Sequence, residues 1–193
     1  MTDSHSSFKP FIVGIGGTTR AVSSTDRALR IALQAAETLG AEARVFDGTF
    51  LAALPHYAAE THERNEKQRE LVETVRKADG LIVASPGYHG GVSGLVKNAL
   101  DLLEDLREDA RPYLDGRAVG CIVTAAGWQS CGTTLAALRS IVHALRGWPT
   151  PFGAMINTAQ PVFDASGGCT DPKIAEQLAV VARQVVQFAH RHR

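Results

Sequence analysis

Short apolar runs alternate along the chain with segments in which apolar residues recur at helical spacing. The first run, 11–15, stops at Gly16 and Gly17, which is typical of a buried parallel strand. The runs predict five strands, at 11–15, 43–46, 80–84, 117–124 and 152–156. The periodic segments predict helices at 24–39, 63–77, 92–107 and 133–145, and a last helix running from 171 toward 188.

This alternation of strands and helices predicts an α/β fold with right-handed crossovers and a parallel sheet covered on both faces. The sequence contains no repeat or linker, so we expect one domain over 1–193, with a polar, flexible lead at 1–9. Ligands of such sheets bind beyond the carboxyl ends of the strands, where the strand order reverses. The loops after the first, third and fourth strands are therefore the candidate site.

Composition narrows the possible classes of protein. The chain has 193 residues and no formal net charge, which argues against a nucleic-acid partner. No apolar run approaches the ~18 residues that span a bilayer, so we expect no membrane association and a cytoplasmic location. The three cysteines have no paired spacing, which indicates reduced thiols rather than a disulfide or zinc site.

The loop after the first strand concentrates hydroxyl groups and one fixed positive charge. Its five hydroxyl side chains and one arginine are Thr18, Thr19, Arg20, Ser23, Ser24 and Thr25. Because the loop leads into a helix N-terminus, free backbone N–H groups and the helix dipole favour an anion there. Hydroxyls also donate to phosphate oxygens without adding charge. The loop therefore predicts a phosphate site; the alternative is a polar turn in which Ser23 or Ser24 only caps the helix.

Two other phosphate-binding motifs fit this loop less well. It lacks the G-x-x-x-x-G-K-[ST] spacing of a triphosphate P-loop. Gly14 and Gly16 match the start of a dinucleotide fingerprint, but Thr19 holds the third glycine position. Asp47, at the end of the second strand, could serve as the ribose-binding acid of such a domain. A dinucleotide-binding domain stays open as the weaker alternative.

The loop after the third strand, 85–91, combines Pro86 with three glycines, so its backbone can pass close to a flat ligand. Tyr88 offers an aromatic face and a hydroxyl, and His89 offers a donor near neutral pH. The alternative is a glycine-rich turn whose tyrosine packs on the surface.

The loop after the fourth strand begins at Ala125 and has small residues around Gly127. Trp128, one of two tryptophans in the chain, would lie at the ligand end of the sheet. The alternative for Trp128 is packing in the core or in an interface.

Together the three loops resemble the NADPH-dependent FMN reductase family. Segment 17–25, GTTRAVSST, is similar to that family's phosphate loop, G-S-x-R-x-x-S-x-[TN]. PGYHG at 86–90 with KN at 97–98 resembles its P-E-Y-N-x…P-G-x-L-K-N segment, but with Gly87, His89 and Ser93 where Glu, Asn and Pro are common. Segment 126–132 resembles its glycine-rich third loop, with Trp128 in place of a glycine.

The resemblance implies a flavodoxin-like three-layer sandwich: a five-stranded parallel sheet in the order 2-1-3-4-5 with helices on both faces. It implies FMN as the cofactor. The phosphate contacts implied by the resemblance are Thr18, Arg20, Ser23 and Thr25. The isoalloxazine contacts implied by it are Pro86, Tyr88, His89, Gly90, Gly127 and Trp128.

The resemblance also implies an enzyme that passes hydride from NADPH or NADH through FMN to a small-molecule electron acceptor, such as free flavin or a quinone. Homodimers or homotetramers are common in the family. No side chain is assigned as a catalytic acid or base, and His89 and Trp128 are only candidates for gating the nicotinamide. The alternatives are a flavodoxin-type electron carrier, whose usual T-x-T-G-x-T loop is absent, and a non-catalytic flavin-binding module.

Overall fold

The computed structural model describes residues 8–192, in which seven strands form one sheet. The strands are β1 (Phe11–Gly16), β2 (Glu42–Phe46), β3 (Gly80–Tyr88), β4 (Gly91–Val92), β5 (Ala118–Ala125), β6 (Trp148–Pro149) and β7 (Ala154–Asn157). The helices are α1 (Ser24–Thr38), α2 (Gly48–Ala52), α3 (Glu66–Lys77), α4 (Gly94–Asp101), α5 (Trp128–Ala144) and α6 (Pro172–Arg191), with a 3-10 helix at Leu102–Leu106.

The sheet confirms the predicted flavodoxin-like order. Strands β2, β1, β3 and β5 pair in parallel, and β6 and β7 both pair in parallel with β5. The predicted fifth strand, 152–156, corresponds to β7, whereas β6 lies before it in the chain and was not predicted. Pro151, which has no backbone N–H to donate to a ladder, lies between the two strands. The remaining strand, β4, has two residues and pairs antiparallel with the end of β3. The prediction of five strands was therefore incomplete in number and correct in order.

Two apolar layers hold the helices against the sheet. On one face, α1 and α6 pack over Ile12, Ile82 and Ile122. On the other face, α3, α4 and α5 cover a cluster that includes Leu81 and Val83. Consecutive strand residues point to opposite faces, so strands covered on both sides are apolar at nearly every position.

Several helix boundaries differ from those predicted. Helix α5 begins at Trp128, five residues before the predicted start at 133, and so takes up most of the third loop. The predicted helix 92–107 ends as an α-helix at Asp101 and continues as the 3-10 helix, a common form of a last helical turn. Helix α2 was not predicted, because five residues are too few to show a period.

Most of the predicted flexible lead, residues 1–7, lies outside the described residues. Within residues 8–192, no helix is long and apolar enough to cross a membrane. The same part of the chain holds no group of three or more His, Cys, Asp or Glu side chains that could bind a metal ion.

Candidate functional site

A cavity of about 340 Å³ opens at the carboxyl ends of β1, β3, β5 and β7. This volume lies in the usual range of about 300–1,000 Å³ for ligand clefts. Seven of the ten predicted FMN contacts line it: Thr18, Arg20, Ser23, Thr25, Pro86, Tyr88 and His89. The structure therefore brings together the two loops that the sequence places far apart.

The phosphate loop, residues 17–25, leads from β1 into the N-terminus of α1. The backbone N–H of Arg20 donates to Thr18 Oγ1 at 3.1 Å, which closes a tight turn at the cavity. Ser23 caps α1, because its Oγ accepts from the N–H of Asp26 at 3.1 Å. The capping role considered for Ser23 is therefore present, and it leaves the Ser23 hydroxyl proton free to donate to a ligand.

Arg20 provides the fixed charge of the cavity. Among the described residues that line the cavity, none carries a carboxylate and Arg20 is the one Arg or Lys. Its guanidinium makes no hydrogen bond or ion pair with another residue in the range 8–192. An exposed cation beside a helix N-terminus favours a phosphate at this end of the cavity.

Val22 has a backbone φ of +61° and is 70% exposed. A β-branched residue rarely adopts this left-handed conformation, and such strain often marks a functional loop. Sequence reasoning missed Val22, because nothing in its side chain suggests a ligand contact.

The second loop is a tight hairpin rather than an open glycine-rich loop. Gly87 pairs with Val92 and Tyr88 pairs with Gly91, which leaves His89 and Gly90 as the two turn residues. Both have positive φ, +53° for His89 and +80° for Gly90, as in a type I′ turn. The hairpin holds Tyr88 at the cavity with its side chain half exposed.

Helix α5 starts directly beside this hairpin. Gly127 precedes its first residue with a φ of +143° and provides no side-chain cap. The N–H groups of the first turn are therefore open to a ligand or to water. The Ser130 hydroxyl donates to the carbonyl oxygen of Gly87 at 2.9 Å and thereby joins the second and third loops.

A second cleft of about 570 Å³ lies between the hairpin and the start of α5. Gly90 and Gly127, two predicted ring contacts, line this cleft rather than the first cavity. The cleft and the cavity share His89 and Ala126, so they adjoin. Trp128 lines neither; it is the first residue of α5 and its side chain is 61% exposed.

Other lining residues were not among the predicted contacts. In the first cavity they include Thr124 and Thr158, and in the second cleft Gln129 and Thr133. Thr124 could have been found as a hydroxyl at the carboxyl end of an apolar strand. Gln129 and Thr133 lie on the face of α5 that borders the cleft. They were missed because the predicted helix began too late to place them on that face.

Asp47 does not have the free carboxylate that a dinucleotide fingerprint requires. Its side chain caps α2 and forms an ion pair with Arg30 at 2.9 Å. This engagement of Asp47 argues against a dinucleotide-binding domain, the weaker alternative from the sequence, because that domain needs a free acidic side chain to bind the ribose.

The sheet order and the cavity beyond its carboxyl ends define a protein of the flavodoxin-like, flavin-binding class. Comparison with known sequences identifies the family within this class. The model of the NADPH-dependent FMN reductase family matches residues 10–160, so the chain belongs to this family. The predicted family is thereby confirmed, together with the predicted class of FMN- and NAD(P)H-dependent oxidoreductase.

Two relatives are similar over much of the chain. The NADPH-dependent FMN reductase ArsH of Rhizobium meliloti (strain 1021) is 26% identical over 183 residues, covering 95% of this chain and 73% of the relative. The FMN-dependent NADPH-azoreductase of Staphylococcus aureus (strain NCTC 8325 / PS 47) is 32% identical over 132 residues, covering 66% of this chain and 65% of the relative. The match thus spans just under two thirds of the azoreductase.

Solved structures share the fold. FerB, a flavoenzyme NAD(P)H:(acceptor) oxidoreductase from Paracoccus denitrificans, superposes with a TM-score of 0.74 at 21% identity, covering 95% of this chain and 98% of FerB. The apo form of the NADH:FMN oxidoreductase EmoB superposes with a TM-score of 0.70 at 23% identity, covering 96% and 91% of the two chains. At these identities the likeness concerns the fold.

Proposed function

We propose that this chain binds FMN across the cavity and the adjoining cleft and uses it to pass electrons from NADPH or NADH to a small-molecule acceptor. The cavity is the observation that supports this proposal most directly. It joins Arg20, whose guanidinium has no partner within residues 8–192, and a hydroxyl-rich loop at one end to a glycine-rich hairpin at the other. This arrangement matches the two ends of a phosphorylated, flat cofactor.

The phosphate end of FMN fits the donors of the first loop. Arg20 supplies a charge-assisted bond, and Thr18 and Ser23 supply hydroxyls beside the N-terminus of α1. Thr25 is only 2% exposed and shares a hydrogen bond with Thr124, so we assign it to shaping the wall as well as to donating.

The ring end fits the hairpin and the start of α5. Pro86, Tyr88 and His89 border the cavity, and Gly90 and Gly127 border the cleft beyond it. The open N–H groups at the start of α5 are suited to the carbonyl oxygens of a flavin ring. Trp128, at the exposed rim, is assigned to the approach of the nicotinamide or the acceptor rather than to the floor of the site.

Bound FMN would supply the hydride chemistry, and the protein would supply orientation, close approach and backbone hydrogen bonds. No acid or base is assigned, because none is needed for hydride transfer. We propose one FMN-binding domain over 1–193 that functions as a homodimer or homotetramer in the cytoplasm. The acceptor is a small molecule, and the azoreductase relative makes azo compounds one class to test.

A flavodoxin-type carrier or a non-catalytic flavin-binding module is the alternative, and steady-state turnover separates them. The purified protein is expected to oxidise NADPH or NADH with FMN present and an acceptor in excess. Flavin absorbance bands near ~370 and ~450 nm would report the bound cofactor. A protein that holds FMN but does not accelerate NAD(P)H oxidation would favour the carrier or the binding module.

A further inference from the structure

Asp47 is a residue that the sequence singles out and that the proposed cofactor site does not use. Its Oδ1 accepts hydrogen bonds from the N–H groups of Thr49 at 3.1 Å and Phe50 at 3.0 Å, at the start of α2. Its Oδ2 accepts from Arg30 Nη2 at 2.9 Å. One carboxylate therefore joins the start of α2 to helix α1.

Arg30 extends this link to the end of the phosphate loop. Its Nε donates to Asp26 Oδ2 at 2.8 Å, and Asp26 lies in the first turn of α1. The backbone N–H of Asp26 is the group capped by Ser23. The chain of contacts from Asp47 through Arg30 to Asp26 thus ends at the turn that carries the phosphate donors.

The backbone of Gly48 packs against the start of the phosphate loop. A methyl group added at Gly48 would lie 2.0 Å from the carbonyl oxygen of Thr18 and 2.5 Å from its backbone nitrogen. One added at Gly17 would lie 2.6 Å from the backbone nitrogen of Gly48. The two backbones pack on each other with no side chain between them, and a backbone cannot move aside as a side chain can.

We propose that Asp47 and Gly48 are positioning residues for the phosphate loop, holding its start through Thr18 and its end through Arg30 and Asp26. Neither residue lines the cavity or the cleft. They fix the place of Thr18, and with it the turn that carries the N–H of Arg20. The role rests on the proposed FMN site, and it specifies how that site selects a phosphorylated flavin.

The test compares dissociation constants for FMN and riboflavin, measured by quenching of flavin fluorescence. Gly48→Ala is expected to weaken FMN about tenfold or more, the effect of losing one charge-assisted contact, and to weaken riboflavin much less. Gly132→Ala is the matched control, because a methyl group there meets no atom within 4 Å. It should leave the FMN-to-riboflavin affinity ratio at the wild-type value.

Asp47 provides a second pair of variants, which decides the question if Gly48→Ala does not fold. Asp47→Asn keeps an oxygen that can cap α2 but places an amide group that cannot accept opposite Arg30, so it should lower the affinity ratio less than Asp47→Ala does. Asp47→Ala removes both the cap and the ion pair and should lower the ratio. A wild-type ratio in Gly48→Ala or in Asp47→Ala, or equal losses for both flavins, would overturn the positioning role. A wild-type protein with no preference for FMN would instead overturn the proposed cofactor site, and this role with it.

Discussion

The hydroxyl oxygens of Thr25 and Thr124 lie 2.6 Å apart, which joins the first turn of α1 to the carboxyl end of β5. Both residues border the cavity, and both are almost fully buried, at 2% and 5% exposure. One hydroxyl donates in this pair, and the proton of the other stays free for a ligand. The pair ties the phosphate loop to the strand that precedes the third loop.

Replacing Thr124 with Val should leave the Thr25 hydroxyl buried without its partner. We expect the free energy of unfolding to fall by about 1–3 kcal/mol, the cost of an unsatisfied buried polar group. The Thr25→Val/Thr124→Val double variant should recover part of the loss, since both hydroxyls are then absent. Urea unfolding of the flavin-free protein measures both, and a double variant less stable than Thr124→Val would contradict the explanation.

Replacing Arg20 with Ala should weaken FMN by about ten- to a hundredfold, the effect of losing a charge-assisted bond of ~1.5–3 kcal/mol. Riboflavin has no phosphate and should bind almost unchanged. Titration of both flavins against the variant makes the comparison. Arg183→Ala, on the exposed face of α6, controls for the loss of a positive charge. Equal losses for FMN and riboflavin would mean that Arg20 supports the fold rather than the phosphate.

FMN should also bind more tightly than FAD. The first loop offers donors for a terminal monophosphate, whereas Asp47, the one candidate for a dinucleotide acid, is engaged with α2 and Arg30. Competitive titration of the two flavins tests this preference. Clearly tighter FAD binding would require a second nucleotide subsite.

The cysteines should be dispensable for turnover. Burial raises the pKa of the Cys121 thiol to about 12 and also raises the pKa of the Cys131 thiol. Both thiols are therefore neutral, and poor nucleophiles, at neutral pH. Cys131→Ser should retain NAD(P)H oxidation, with FMN content measured alongside. A folded, FMN-loaded Cys131→Ser variant without turnover would require a thiol in the mechanism.

The sheet and the first loop were accessible from the sequence because each rests on a local pattern. The apolar runs predicted the strands, and the family resemblance implied their order. Arg20 and the hydroxyl side chains around it predicted the phosphate site, and they line the cavity. The hairpin at His89 and Gly90 was not predicted, since its turn lacks the usual Asn-Gly or Asp-Gly pair. The start of α5 was misplaced because Gly127 and the small residues after Trp128 resemble a loop, and their helical state depends on packing against β5 and the hairpin.

Gly90 should decide activity once FMN is bound. Its φ of +80° disfavours any residue with a Cβ, and a Cβ there would lie 3.1 Å from Thr133 Oγ1, inside the cleft. Gly90→Val should therefore shift the hairpin against α5 while leaving the phosphate loop intact. Displacing reacting groups by ~1 Å can cost on the order of a hundredfold in rate.

The measurement follows NAD(P)H oxidation by Gly90→Val saturated with FMN, with the fold checked by circular dichroism. Gly90→Asn is the matched control, because asparagine tolerates the left-handed region better than valine does. Both variants place a Cβ against Thr133, but only valine also strains the backbone strongly. Gly90→Asn should therefore lose less activity than Gly90→Val. A folded, FMN-loaded Gly90→Val enzyme with wild-type turnover would mean that the flavin ring does not lie along the hairpin.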